Sequence, residues 1–257
     1  MNTKASTSLF LLGGHDLEML TIRQMLEGRE DCFIADKHLQ WDNARLSAYR
    51  DELSQHDSYN IIYGIELQED IPLPKNYYRI DHHNDWADKP SSLEQVAEVL
   101  GVKLTRYQQL VAANDKGYIP AMKALGASKE ETDHIRRRDR TAQGVTEEDE
   151  ALAEKAITEN LHAYKGLTVV KAFSSRFSPI CDRLYPYLRL LIYTDTEWMF
   201  YGEGKADLVS LLAKDIQQKK VFHGGGNNGY IGSVQYAFDR KEIEQFVDIK
   251  VKKYEHI

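Results

Sequence analysis

The chain has 257 residues, enough for one large domain or two modest ones at roughly 100–200 residues each. Its 42% hydrophobic and 28% charged fractions are ordinary for a folded globular protein, and a net charge of −7 argues against a nucleic-acid coating protein, which needs a basic surface. Only two cysteines, Cys32 and Cys181, are present, too few for a disulfide framework or a CxxC zinc site, so a reducing cytoplasm is the expected setting. The apolar run Leu9 to Leu12 in "MNTKASTSLFLLGG" is too short for a signal-peptide core or a membrane span, and no membrane partner is expected.

The first half alternates strand-like and helix-like segments. "SLFLL" (8–12) reads as a buried strand broken by "GGHD", and "LEMLTIRQML" carries a helical face through Leu17 and Leu20. "CFIA" (32–35) is a second strand ending at Asp36, 42–54 reads as a helix, "YNIIYGI" (59–65) as a third strand and "YYRI" (77–80) as a short fourth. Ser92-x-x-Gln95 has the pattern of a capping box opening "LEQVAEVL", with Gly101 as its stop, and a further helix over about 104–114 runs into "NDKGYIPAM". Strands separated by helices predict an α/β fold with a doubly wound, mainly parallel sheet.

Residues 128–164 are strongly charged and helical in composition, and predict a helical linker between a first domain over 1–127 and a smaller α/β domain over 165–257. The run Arg136-Arg137-Arg138-Asp139-Arg140 could hold phosphate, but such a run is more often a solvated helix face, and it is read as one. In the second half come strand-like "LTVVKAF", a helix start at Ser178-Pro179, a hairpin in "LRLLIYTDTEWMFYGEG", the helix "ADLVSLLAKDIQQ" and the loop "VFHGGGNNGYIGS".

Ionisable residues gather where strands end. "IDHHND" packs Asp81, His82, His83 and Asp85 into five positions after the fourth strand, and His15-Asp16, Asp36 and Glu66 follow the other three. Such a cluster is either solvated loop or a set of metal ligands, because buried charge without partners is costly. In doubly wound sheets ligands sit at the carboxyl ends of the strands. Oxygen-rich ligands with one or two imidazoles suit Mn²⁺ or Mg²⁺ better than structural zinc.

"IDHHND", "PSSLEQVAEVL" and "AANDKGY", in that order, followed by "FHGGGNNGYIGS", resemble the DHH phosphoesterase superfamily with its DHH-associated C-terminal domain. The resemblance covers nearly the whole chain and marks it as a divergent member. It implies one or two Mn²⁺ or Mg²⁺ ions, with Asp81 bridging or flanking them, His82 and Asp115 as ligands, and His83 either contacting the substrate phosphate or supporting the shell. Two such ions about 3.5–4 Å apart activate a water and stabilise the leaving oxygen of a phosphoester.

The first motif departs from the family pattern. "GGHDLEM" offers His15, Asp16 and Glu18, with the DxD spacing kept by Asp16 and Glu18 and the histidine one residue too near. Gly64 stands where an acid is expected after the third strand, leaving Glu66 or Asp36 as substitutes. The glycine-rich loop, His223, Gly224, Gly225, Gly226, Asn227 and Asn228, reads as an anion nest with two amides for sugar or base, and Arg176 as a further phosphate contact. The expected activity is hydrolysis of a phosphodiester in a small nucleotide or short oligonucleotide, with no long-duplex binding. A pyrophosphatase-like activity, or a nucleotide-sensing protein that has lost one metal, are the alternatives.

Overall fold

The computed structural model describes residues 7–164, 166–226 and 228–233. It divides into two compact units, 1–144 and 145–257, so the boundary falls inside the charged segment expected to be a linker, and its two helices belong one to each unit.

The first unit is an α/β layer around a four-stranded parallel sheet. Strands β1 (Ser8–Leu12), β2 (Cys32–Ala35), β3 (Ile61–Ile65) and β4 (Tyr77–Ile80) are ordered β2-β1-β3-β4. The chain leaves β1 toward one edge and returns to its other side, the strand-order reversal that marks ligand sites in such sheets. Leu12 pairs with Ile65, and Ile65 with Ile80, so β1, β3 and β4 end abreast. β2 lies on the other flank of β1. Phe10, Leu11, Leu12, Ile62 and Ile65 are fully buried, which fits the near-continuous apolar strands of a sheet covered on both faces.

The helices are α1 (Leu17–Leu26), α2 (Arg50–Leu53), α3 (Ser92–Leu100), α4 (Arg106–Ala124) and α5 (Lys129–Ala142). The 42–54 segment is not one helix: a 3₁₀ turn at Leu46–Tyr49 runs into the single turn of α2. The capping box of α3 lies one residue earlier than its sequence pattern, at Ser91 and Glu94, because Ser91 takes the extended backbone from which a hydroxyl can reach the N3 amide. Thr105 with Gln108 and Ser128 with Glu131 cap α4 and α5 in the same way.

α4 is broken at Gly117 (φ −158°, ψ 21°) and Tyr118 (φ 58°, ψ −151°), just ahead of Pro120. Proline cannot donate to the helix ladder and clashes with the preceding turn. The break needs a residue in the left-handed region, and Tyr118 holds it beneath the guanidinium of Arg136, 4.6 Å from its ring centroid.

The basic run of α5 is not a uniformly solvated face. Arg136, Asp139 and Arg140 are buried, whereas Arg137 and Arg138 are exposed. Arg136 donates to Asn114 on α4 at 2.9 Å and to Asp139 at 2.6 Å, while Asp139 accepts from the Leu17 amide at 3.4 Å and the Gln143 side chain at 3.1 Å. This ion pair ties the start of α1 to α4 and α5.

The second unit holds α6 (Glu147–Asn160), α7 (Ser178–Leu184), α8 (Lys205–Leu211) and α9 (Ala213–Gln217) with a six-stranded mixed sheet. Its strands are β5 (His162–Tyr164), β6 (Leu167–Lys171), β7 (Arg189–Tyr193), β8 (Trp198–Gly202), β9 (Phe222–Gly224) and β10 (Tyr230–Ser233), ordered β5-β6-β7-β8-β10-β9. The expected hairpin is β7–β8, and the glycine loop joins β9 to β10. One core gathers Leu167, Val169, Leu191, Trp198, Phe200 and Ile231, and a second packs α6 and α7 through Ala153, Ala156, Ile180 and Cys181. No helix among the described residues is long and apolar enough to cross a membrane.

Removing one member of a buried ion pair typically costs about 3–5 kcal/mol. Asp139→Ala should therefore lower the stability of the first unit by an amount in that range. A change below about 1 kcal/mol, measured by equilibrium unfolding in urea, would show that the pair does not hold α1 in place.

Candidate metal centre

The site is built at the carboxyl ends of β1, β3 and β4. After β1 the chain turns through Gly13, where a Cβ would lie 2.4 Å from the Ile65 carbonyl oxygen; only glycine lets the two strand ends run this close. Asp16 then caps α1, its carboxylate accepting from the Met19 amide at 2.9 Å. Glu18 lies in the first turn of the same helix, where a carboxylate meets the positive end of the dipole, and accepts from the Leu93 amide at the start of α3 at 3.0 Å. Glu66 ends β3 in the left-handed region (φ 52°), with its amide donating to the Ile80 carbonyl at 2.9 Å. A non-glycine residue held there stores strain of the kind that clusters at functional sites.

Four of these side chains converge. Ligand atoms of Glu66, His82, His83 and Asp115 all lie within 4.8 Å of one another. His82 Nε2 is 2.6 Å from Asp115 Oδ2, 3.3 Å from Glu66 Oε1 and 3.7 Å from Glu18 Oε2, and its side chain is 4% exposed. Yet His82 Nε2, Glu18 Oε2, both Glu66 carboxylate oxygens and Asp115 Oδ2 have no hydrogen bond of acceptable geometry. Buried polar atoms are almost always satisfied, and leaving ionised ones unsatisfied costs more still. Acceptors pointed at a common space without donors are what a cation would satisfy, and the donor set of carboxylates and imidazole suits a hard divalent ion.

Asp81 stands slightly apart. Its carboxylate accepts from the His83 amide at 2.9 Å and lies 3.3 Å from His83 Nδ1, while its carbonyl accepts from Gln95 at 3.1 Å. It therefore orients His83, whose side chain is more exposed than that of His82. Asp16 lies at the edge of the group, buried and within electrostatic reach of Asp115 and Glu66. His15 is turned to a different neighbour, its ring edge-on to His38 at 5.5 Å.

Asp36 is not brought into the group. It follows β2, on the far flank of β1, so at about 4.8 Å per strand it is two spacings from the end of β3. It accepts from Arg23 at 3.0 Å and from the His38 amide at 2.8 Å. Of the two substitutes for an acid at position 64, Glu66 is the one brought into the group. Gly64 itself lies against Tyr77, whose hydroxyl occupies the space a side chain would need.

The remaining candidates belong to the second unit. His223 and Gly224 are in β9; Gly225 (φ 70°) and Gly226 (φ 64°) turn the hairpin; Asn228 is exposed; and Asn227 lies outside the described residues. The Gly226 carbonyl accepts from the ammonium of Lys205, a buried lysine whose pKa is lowered by desolvation. Arg176 is exposed, and its charge adds to the hydrogen bonds from Ser174 and Thr146 that lower the pKa of Asp149.

Sequence reasoning does not reach two residues beside the group. Asp139, through the Leu17 amide, braces the helix that carries Glu18, and it was hidden in a run whose composition looks solvated. Trp41, from the polar segment between β2 and α2, packs on Gly14 and meets the His83 ring at 5.6 Å. A lone tryptophan among polar residues is the only signal that could have marked it.

Electrostatics follow from the crowding. Burial, with the charges of Asp115 and Glu66, raises the Asp16 pKa well above the usual range, and burial likewise raises Glu18. Asp115 is pushed up to about 6, by burial and then by Glu18, against the opposing pull of His82. Burial would lower the His82 pKa, but Asp115, Glu18 and Glu66 together push it up to about 12. Asp81 is lowered: burial opposes this, and the His83 side chain and amide outweigh it.

No known family profile matches the sequence, and no curated protein matches it. Solved structures do. A pGpG-specific phosphodiesterase, PggH, from Vibrio cholerae is similar at 14% identity and TM-score 0.50, over 96% of this chain and 99% of that one. A DHH domain described as a member of the S1p family of ribosomal proteins is similar at 12% identity and TM-score 0.50, over 96% and 87%. RecJ from Thermus thermophilus, in complex with Mg²⁺, aligns at 11% identity and TM-score 0.42, over 97% of this chain and 49% of that one.

Each raised pKa means that the folded metal-free protein binds protons the unfolded chain has released. Stability therefore falls as pH rises through 3.8 to about 6 for Asp115, and through 6.5 to about 12 for His82. A cation that replaces those protons should stabilise more as pH rises. The expected result is a larger rise in Tm on adding Mn²⁺ at about pH 8 than at about pH 5.5, by differential scanning calorimetry. An equal rise at both would place the bound ion away from these groups.

Proposed function

We propose that this chain, which has the fold of the DHH-domain proteins, is a metal-dependent phosphoesterase. It hydrolyses a phosphodiester in a small nucleotide or short oligonucleotide. The observation that carries this reading is the set of unsatisfied carboxylate oxygens and His82 Nε2 converging at three strand ends. The named activity of the Vibrio cholerae neighbour, a dinucleotide phosphodiesterase, is of the same class and supports the choice of substrate.

Glu18, Glu66, His82 and Asp115 hold one or two divalent ions, Mn²⁺ or Mg²⁺, with Asp16 at the edge of the set. When bound, such ions activate a water and neutralise charge on the phosphate. The protein does the rest by placement, which is most of what phosphoryl transfer requires. Leu93 and Met19 amides fix one oxygen each of the Glu18 and Asp16 carboxylates, which would leave the unsatisfied second oxygen of Glu18 to a bound ion. Asp81 holds His83 by Nδ1, leaving the exposed imidazole to contact a phosphate oxygen of the substrate.

In this reading the glycine hairpin is the second unit's own substrate-binding loop, a clamp for phosphate and nucleoside. Gly225 and Gly226 leave backbone groups unobstructed, Lys205 braces the turn from below, and Asn228 is exposed to read sugar or base. Arg176, His223 and Asn227 are further contacts in this reading.

Loss of an outer partner of a metal ligand typically costs about 10–100-fold, so loss of a ligand should cost more. With Mn²⁺ and a linear dinucleotide, His82→Ala and Glu66→Gln should each lower kcat by about a hundredfold or more, and a chelator should abolish turnover. Full turnover by metal-free protein, verified by elemental analysis, would overturn the mechanism. Asp36→Asn, outside the group, should turn over like the wild type.

Asn228→Ala should raise KM for the dinucleotide while leaving that for pyrophosphate near its starting value. Equal losses on both substrates would remove the clamp's role in recognising the nucleoside. A wild type that prefers pyrophosphate would make the enzyme a phosphoanhydride hydrolase.

A further inference from the structure

We propose that Trp41 is a stacking face for a nucleobase, set beside the candidate metal centre within the first unit. The inference deepens the phosphoesterase reading and rests on it: the ligand is a nucleotide whose phosphate lies at Glu66, His82, His83 and Asp115, and whose base lies on the indole.

Three observations carry it. First, the indole is held in place. A Cβ on Gly14 would lie 2.5–2.7 Å from three of its ring atoms, so one side of the ring rests directly on the glycine backbone. Second, it is adjacent to the chemistry. Its centroid is 5.6 Å from that of His83, with 64° between the planes, an edge-on contact rather than a parallel stack. Third, it is 48% exposed, although tryptophan is on average a highly buried residue.

Leaving that much indole in water forgoes hydrophobic stabilisation at about 25 cal/mol per Å². A rigid, half-exposed aromatic ring at the rim of a site full of carboxylates adds nothing to binding a metal or bare phosphate. It does suit a flat apolar ring attached to a phosphate. Stacking on an aromatic side chain tolerates any base, since each has a π face. The surroundings reinforce this. The same segment between β2 and α2 lays His38 edge-on against His15 at 5.5 Å, so the loop leading into α1 is flanked by two aromatic contacts.

The test compares ligands that differ only in the base. AMP and ribose 5-phosphate share phosphate and sugar, so binding of each to the Mn²⁺-loaded full chain, by calorimetry and by quenching of indole fluorescence, isolates the ring's contribution. In the wild type AMP should bind more tightly than ribose 5-phosphate and quench fluorescence.

Trp41→Leu keeps an apolar side chain on Gly14 but removes the π face. It should weaken AMP by about ten- to a hundredfold, leave ribose 5-phosphate and Mn²⁺ stoichiometry unchanged, and lose the quenching. Trp41→Phe should recover most of the AMP affinity. Equal affinities for the two ligands in the wild type, or a Trp41→Leu chain that binds AMP as well as the wild type, would overturn the proposal. So would parallel weakening of both ligands. A wild type that takes up Mn²⁺ and phosphate but shows no base preference refutes the stacking alone; one that binds no Mn²⁺ refutes the phosphoesterase reading as well.

Discussion

The register of three parallel strands sets everything chemical in the first unit. Because Leu12 pairs with Ile65, and Ile65 with Ile80, the residues that follow these strands emerge side by side at about 4.8 Å spacing. One position of slip in β3 would send Glu66 elsewhere, since successive side chains point to opposite faces. The close approach of Gly13 to the Ile65 carbonyl and the hydrogen bond from the Glu66 amide to Ile80 lock the strand ends at the level where the ligands depart. A binding group of three strands and two helices thus depends on a backbone alignment fixed by buried Leu and Ile side chains.

That alignment imposes a cost. Bringing Asp16, Glu18, Glu66 and Asp115 out of water beside one another is unfavourable, and His82, with a smaller contribution from His83, offsets part of it. The fold does not relieve the crowding from within. It uses its other donors, the Met19 and Leu93 amides, to fix one oxygen each of Asp16 and Glu18, and leaves the second oxygen of Glu18 buried without a partner. The Arg136–Asp139 pair performs the complementary task at the back, fastening the start of α1 so that the repulsion cannot push Glu18 away.

Much of this was legible in the residues. The four strands of the first sheet could be read from apolar runs that end in acids or imidazoles, while Glu18, His82, His83 and Asp115 were pointed to by the resemblance to the DHH pattern, and Glu66 was one of two substitutes for the acid missing at Gly64. What could not be read is lateral order. Asp36 ends a strand as Glu66 does, and only the placement of β2 outside β1 separates them. Nor does composition show burial: Arg136 and Arg138 are two residues apart in one basic run, yet the first is enclosed by α4 and the second is solvated, a difference set by the helix face each occupies. Trp41 has no periodic context, so its contact with Gly14 is a purely tertiary fact.

The break in α4 has an electrostatic consequence. With Gly117 and Tyr118 out of helical geometry, the segment beginning at Arg106 effectively ends within a turn of Asp115. The last carbonyls of a helix carry roughly half a negative charge, so an acid there meets a field of its own sign, the reverse of what Glu18 enjoys at the start of α1. An unbroken α4 would have carried its negative pole on to the end of the helix at Ala124. The kink instead delivers that pole beside the carboxylates, so part of the attraction for a divalent ion comes from peptide dipoles that no side-chain substitution would remove.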